Sequence, residues 1–125
     1  DPVLHEFRGL VLFAQGNYQA AAGTVYAVLA SGPGWDWDTL KSNYPNVDTY
    51  TQQLHKLEDY VQQNPKAADA RFLMAYHYLT LGYTDEARAE LETVVELQPK
   101  DELSAQLVKL LTPSTGTDAA AEVKS

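Results

Sequence analysis

The chain has 125 residues, 45% of them hydrophobic, and its 17 acidic and 9 basic residues give a formal net charge of −8. This composition suits one folded domain and excludes a disordered chain. The absence of cysteine excludes disulfides, thiol catalysis and thiolate metal sites, and the negative charge argues against a nucleic-acid partner, because phosphates require a basic surface.

The first two predicted elements form a helical hairpin. Asp1 is a preferred N-cap and is followed by proline, so a helix is predicted over about 2–15. Gly16 is expected to end that helix, because glycine tolerates the left-handed conformation of a helix terminus. A second helix is predicted over about 18–30, and the Ser-Gly-Pro-Gly segment 31–34 ends it.

The middle of the chain is the least regular part. Residues 35–44 can form at most two turns of helix, because Pro45 stops them. A longer helix is then predicted over about 48–63, with Asn46 or Asp48 as its cap.

A second clear hairpin is predicted over 68–99, with its bend at Gly82. Its first helix is apolar on two sides and must therefore be covered on two sides. His77 lies on one of these apolar faces, so we expect a buried structural histidine. The second helix carries a single apolar stripe, with glutamates facing water.

The C-terminal part predicts one more helix and a tail. Asp101 is the expected cap of a helix that ends near Leu111 and is apolar on one side, as a solubilising cap of a repeat array should be. The remainder is linker-like and is predicted to be flexible. No apolar run approaches the about 18 residues that a membrane span needs, so membrane insertion is not expected. Since the chain has neither an initiator Met nor a signal-like segment, we expect a piece of a longer protein.

The second hairpin repeats the first at a shift of 66 residues. Five positions correspond: Gly82, Ala87, Leu91, Val94 and Pro99 fall on Gly16, Ala21, Val25, Val28 and Pro33. Half of this shift is the period of about 33 residues expected of helix-turn-helix repeats, and Pro65 lies where a middle repeat would end. The pattern resembles the tetratricopeptide repeat family, with Gly at the turn, Ala early in the second helix and Pro after it.

The resemblance implies an all-α fold, a right-handed superhelical array of three helical hairpins plus a C-terminal capping helix. It departs from the family at His5 and Arg71, where an aromatic residue is expected. The predicted spans are a domain over 1–111, repeats at about 2–34, 35–67 (divergent) and 68–101, a capping helix at 102–111, and a tail or linker at 112–125.

The resemblance also implies a binding groove, since the first helices of successive repeats line a concave face that holds extended peptides. The residues placed toward this groove are Glu6, Leu10, Phe13, Phe72, Tyr76 and Thr80. Family members that clamp a terminal carboxylate use Lys, Arg and Asn there, so this chain is expected to hold an apolar or basic segment instead. An alternative is that these residues contact another domain, another copy of the chain, or nothing.

The aromatic loop, Trp35, Trp37 and Tyr44, is a second candidate binding surface. Aromatic residues dominate binding hot spots, and an irregular loop often carries function. The competing interpretation is that these rings fill the core where the preceding helix is too short. Both interpretations stay open at the level of sequence.

No catalytic, metal or cofactor site is predicted. The serines lack a Gly-x-Ser-x-Gly turn, and the three histidines lie on separate helices without a supporting carboxylate spacing. The sequence therefore predicts a non-catalytic interaction module, part of a larger protein, whose partner is a protein or peptide of basic or apolar character. The alternative is a structural element that packs on other copies of itself.

Overall fold

The computed structural model describes residues 1–113, and within them the chain forms seven α-helices and no strand. The helices are α1 (Pro2–Ala14), α2 (Tyr18–Ser31), α3 (Trp37–Lys41), α4 (Val47–Gln63), α5 (Ala68–Leu81), α6 (Thr84–Leu97) and α7 (Glu102–Leu111). The predicted all-α class is confirmed. Nearly all of the predicted tail, 112–125, lies outside the described residues.

Side-chain caps start three of the helices at the predicted positions. Asp1 Oδ1 accepts a hydrogen bond of 3.0 Å from a backbone N–H of α1. Asn46 Oδ1 accepts one of 2.8 Å at the start of α4, and Asp101 Oδ1 accepts one of 3.0 Å at the start of α7. Each cap satisfies a backbone donor that has no partner inside the helix.

Gly16 and Gly82 form equivalent bends between the helices of the two clear hairpins. Their φ angles are +78° and +83°, in the left-handed region that favours glycine. The N–H after each glycine donates to a carbonyl five residues back, Asn17 to Leu12 at 2.9 Å and Tyr83 to Tyr78 at 2.8 Å. The 66-residue correspondence therefore extends to the hydrogen bonds of the two turns.

Helix α5 is the centre of the domain. It packs on α2, α4 and α6 and also contacts α3. The ring of Phe72 lies 5.0 Å from that of Tyr26 on α2, and the ring of His77 lies 4.1 Å from that of Phe13 on α1. The prediction that this helix is covered on two sides is confirmed.

The middle segment differs in one respect from a regular array of three hairpins. Helix α2 packs directly on α5, so the two clear hairpins are neighbours, and α3 and α4 both pack on α5 from another side. The physical reason is the length of α3, which has five residues and is too short to form an antiparallel pair with the 17 residues of α4. The right-handed superhelical course stays a prediction.

Candidate functional site

The residues predicted to face a groove are covered by the chain itself. Glu6, Leu10, Phe13, Phe72 and Tyr76 are buried, and Thr80 is half-buried. Part of the cover comes from α4, whose Tyr50 ring lies 6.2 Å from the ring of Phe13. Another part comes from the loop after α2, which contacts Glu6 and Tyr76. Binding at this face stays a prediction; in the isolated chain its side chains belong to the core.

Glu6 is the buried carboxylate of this face, with 3% of its surface exposed. Its Oε2 accepts a hydrogen bond of 2.7 Å from the backbone N–H of Trp35 and another from the Tyr76 hydroxyl. A Cβ on Gly34 would lie 3.0 Å from the same oxygen and 3.2 Å from Cε1 of Tyr76. One carboxylate oxygen thus joins α1, α5 and the loop after α2, and the absence of a side chain at Gly34 permits the close approach.

Two members of the aromatic loop pack around Tyr50 of α4. The rings of Trp37 and Tyr44 lie 5.1 and 5.2 Å from the Tyr50 ring. The Tyr44 hydroxyl also donates to Gln53 at 2.5 Å. Trp37 and Tyr44 are half-buried and extend the core, whereas Trp35 lines the cleft described below.

His77 is buried, as expected from its position on an apolar face. Its Nδ1 lies 2.8 Å from the Tyr50 hydroxyl, and its Nε2 has no hydrogen-bond partner among the described residues. Burial lowers the pKa of His77 to about 3, because the charged imidazolium cannot be solvated there. The imidazole is therefore neutral at pH 7.

An apolar cleft opens between the end of α2, the end of α5 and the face of α7. Its volume is about 470 Å³. It is lined by Leu29, Gly32, Pro33, Gly34, Trp35, Tyr76, Leu79, Thr80, Leu107, Leu110 and Leu111. Leu110 is 78% exposed at its edge. We refer to these residues as the apolar cleft.

The apolar cleft brings together members of both predicted sites. Tyr76 and Thr80 come from the predicted groove, and Trp35 comes from the aromatic loop. The leucines of α7 were predicted as the apolar side of a capping helix and not as part of a site. The four leucines 103, 107, 110 and 111 have the spacing of a single apolar face, so the sequence did not indicate which of them stay exposed.

A second unpartnered apolar surface runs along α1. Val3, Leu4, Phe7 and Val11 are 39–67% exposed and lie on one side of the helix at spacings of three and four residues. We refer to these four residues as the α1 stripe. They lie in the helix predicted over about 2–15 and were not predicted as a site.

A polar depression of about 510 Å³ between α4, α5 and α6 is less suited to binding. Three of its four charged side chains, Glu58, Arg71 and Glu90, already pair with protein groups. Arg71 lies 2.8 Å from Glu90 and also donates to the carbonyl of Pro65, and Tyr78 donates to Glu58 at 2.5 Å. Arg71, which stands where the family has an aromatic residue, therefore links α5 to α6 and to the preceding loop.

Comparison with known proteins gives the family. Two family models, both described as tetratricopeptide repeat, match residues 2–34 and 50–111. The chain belongs to the tetratricopeptide repeat family. Such repeats mediate protein–protein interactions and are typically non-catalytic. No curated protein and no solved structure matched the chain.

The two tetratricopeptide repeat matches leave residues 35–49 between them. This interval contains the aromatic loop and α3, so the least regular segment is also the one outside the family pattern. Among residues 1–113, no group of three or more His, Asp or Glu side chains is arranged to hold a metal ion. None of the helices described here has the length and apolarity needed to cross a membrane.

Proposed function

We propose that this tetratricopeptide repeat domain is an interaction module that holds an apolar segment of a protein partner in the apolar cleft. The main support for this proposal is that leucines of α7 line a concave site and are not fully covered. Leu110, at the edge of that site, is 78% exposed. Concave, mostly apolar sites of about 300–1,000 Å³ are typical of the places where proteins bind small molecules, and a few apolar side chains of a segment are of comparable size. The cleft volume lies in this range.

The cleft is favoured over the predicted groove by accessibility. The groove side chains on α1 and α5 are buried under the loop after α2 and under α4. Tyr76 and Thr80 are the groove members that also line the open cleft. The formal charge of −8 favours a partner segment with basic residues beside its apolar ones.

A defined peptide tests this proposal. The probe is a fluorescein-labelled amphipathic peptide of about 14 residues, built of Leu on one helical face and Lys on the other, and binding is followed by fluorescence anisotropy. We expect saturable binding that Leu110→Asp weakens about tenfold or more, as loss of an interface anchor does. Leu4→Asp is the matched control, since it makes the same charge change at another exposed leucine, on α1.

The two variants separate cleft binding from attraction to an acidic surface. Unchanged or tighter binding by both Leu110→Asp and Leu4→Asp would show that the peptide binds by charge alone, because an added carboxylate attracts lysine. Absence of saturable binding to the unaltered chain would remove the cleft from consideration.

Self-association is a second candidate function, and the α1 stripe favours it. At the 66-residue shift, Leu4, Phe7 and Val11 correspond to three buried residues of α5, namely Ala70, Leu73 and His77. In α5 this face is covered by neighbouring elements, whereas in α1 it is open. A second copy would bury the stripe in the same manner.

Sedimentation velocity tests self-association. We expect a mass that rises with concentration in the unaltered chain and stays monomeric in Phe7→Glu. Tyr83→Glu, which changes an exposed aromatic at the turn after α5, serves as control and should still associate. A strict monomer at high concentration would eliminate this function.

A further inference from the structure

Glu6 is a buried carboxylate without a cationic partner. The three ion pairs found within residues 1–113 use Lys41, Arg71 and Arg88, and none includes Glu6. Its recorded hydrogen bonds come from neutral donors, the N–H of Trp35 and the hydroxyl of Tyr76. A buried carboxylate that lacks an opposite charge is costly, because neutral donors only partly replace its hydration.

The Glu6 carboxylate does not line the apolar cleft but is hydrogen-bonded to two residues that do. Both of its hydrogen-bond donors, Trp35 and Tyr76, line the cleft. Gly34 lines it too, and a Cβ added there would lie 3.0 Å from the same carboxylate oxygen. Glu6 therefore positions two walls of the cleft without lining it. Its negative charge acts on the cleft through a layer of apolar atoms, where electrostatic interactions are stronger and less screened by salt than at the surface.

The cleft wall also offers aromatic surface to a cation. The aromatic lining residue with exposed surface is Trp35, which is half-buried, whereas Tyr76 is only 2% exposed, and aromatic rings attract ammonium and guanidinium groups. A cationic group held beside Trp35 would lie close to the residue whose backbone N–H donates to the Glu6 carboxylate. The negative charge of Glu6 favours a cationic group, and the apolar lining favours apolar side chains. The segment that fits both has a Lys or Arg adjacent to its apolar anchors.

We propose that Glu6 is a specificity-determining residue of the apolar cleft, which selects partner segments that carry a cationic group beside their apolar anchors. This inference rests on the proposed function of the cleft. It differs from general attraction to an acidic protein, because it assigns the preference to one buried carboxylate.

The experiment compares two probes that differ only in charge. One is the labelled Leu–Lys peptide, and the other is the same peptide with every lysine acetylated. The quantity measured is the ratio of their Kd values by fluorescence anisotropy. We expect Glu6→Gln, which keeps the size of the side chain and an acceptor oxygen, to reduce this preference about fivefold or more.

Asp38→Asn is the matched control. It removes one carboxylate from α3, three residues after Trp35, but the Asp38 side chain is 85% exposed and its contact with Lys41 is a surface pair. We expect the preference for the lysine probe to be unchanged in this variant. A Glu6→Gln protein that keeps the unaltered preference, while its far-ultraviolet circular dichroism shows a folded chain, would overturn the inference.

A second measurement uses only the unaltered chain, so it tests the inference even if Glu6→Gln fails to fold. Salt screens exposed charges more than buried ones, so a preference that originates at Glu6 should persist in the unaltered chain at about 1 M NaCl. Loss of the whole preference at that salt concentration would overturn the inference and leave the cleft proposal intact. Failure of the unaltered chain to bind either probe would overturn both.

Discussion

The hydroxyl of Tyr50 on α4 lies 2.8 Å from Nδ1 of His77 on α5, and both side chains are buried. This hydrogen bond joins the irregular middle of the chain to the central helix. The Phe13 ring of α1 lies 4.1 Å from the same imidazole, so the three elements meet at one point. The core of the domain therefore includes the segment that least resembles a repeat.

Acid is expected to destabilise the domain through His77. Its folded pKa of about 3 lies below the value of about 6.5 expected in the unfolded chain. Between these values the unfolded chain binds a proton that the folded chain does not, so the free energy of unfolding falls as pH drops below about 6.5. The slope from this group is at most about 1.4 kcal/mol per pH unit, and urea unfolding between pH 7.5 and 4.5 measures it.

Two histidine variants test the origin of this slope. His77→Gln keeps an acceptor for Tyr50 but takes up no proton, so its stability should fall less steeply with acid. His55→Gln changes an exposed histidine on α4 and should keep the steep dependence. The assignment fails if His77→Gln and the unaltered chain show the same slope.

Alkali is expected to destabilise the domain through buried tyrosines. Burial raises the pKa of the phenols of Tyr44, Tyr50, Tyr76 and Tyr78, and the neighbouring carboxylates of Glu6 and Glu58 raise those of Tyr76 and Tyr78 further. The unfolded chain loses these protons near pH 10, while the folded chain retains them. The contribution of these phenols to the free energy of unfolding is therefore fully present below about pH 10 and is lost as pH rises above it.

Urea unfolding between pH 8 and 11.5 measures the alkaline effect. Tyr78→Phe removes one of these phenols and should make the decline shallower. A stability that stays constant up to pH 11.5 would contradict the burial of these hydroxyl groups.

Replacing a glycine by alanine should lower the stability of the domain where the glycine has a positive φ, and raise it where the glycine is helical. Gly16→Ala and Gly82→Ala place a Cβ on a residue with positive φ and should each cost about 1–2 kcal/mol. Gly23→Ala lies inside α2, where no atom lies within 4 Å of an added Cβ. It should stabilise the chain by about 0.5–1 kcal/mol, since alanine favours helix.

Thermal or urea unfolding of the three glycine variants checks these signs. Stabilisation by Gly16→Ala or Gly82→Ala would show that the bends do not need a left-handed residue. Because neither bend is crowded, the cost would come from the backbone alone.

Helix α4 is expected to unfold together with the rest of the domain. Leu57 is fully buried on α4, so Leu57→Ala should cost about 2–5 kcal/mol by loss of apolar burial and creation of a cavity. Leu110→Ala, at an exposed leucine, should cost no more than about 0.5 kcal/mol. A separate early transition in urea, sensitive only to Leu57→Ala, would show that the middle segment folds on its own.

The helices, their caps and the two glycine bends could be predicted because they depend on residues within a turn or two of one another. Asp1 caps α1 through the N–H two residues away, and the hydrogen bond across the Gly82 bend spans five residues. The burial of Glu6 had a weak signal. At the 66-residue shift it corresponds to Phe72, so an acidic residue stands where the other hairpin buries an aromatic ring.

By itself, then, the sequence determined the helical class, the repeat family and the turns, because hydrophobic period and glycine conformation are local properties of the chain. Only the tertiary structure decided that α2 packs directly on α5, that Glu6 meets Trp35 and Tyr76, and that an apolar cleft opens beside α7. These features join residues about 30 to 80 positions apart. A helical period along one segment carries no information about which distant segment packs against it.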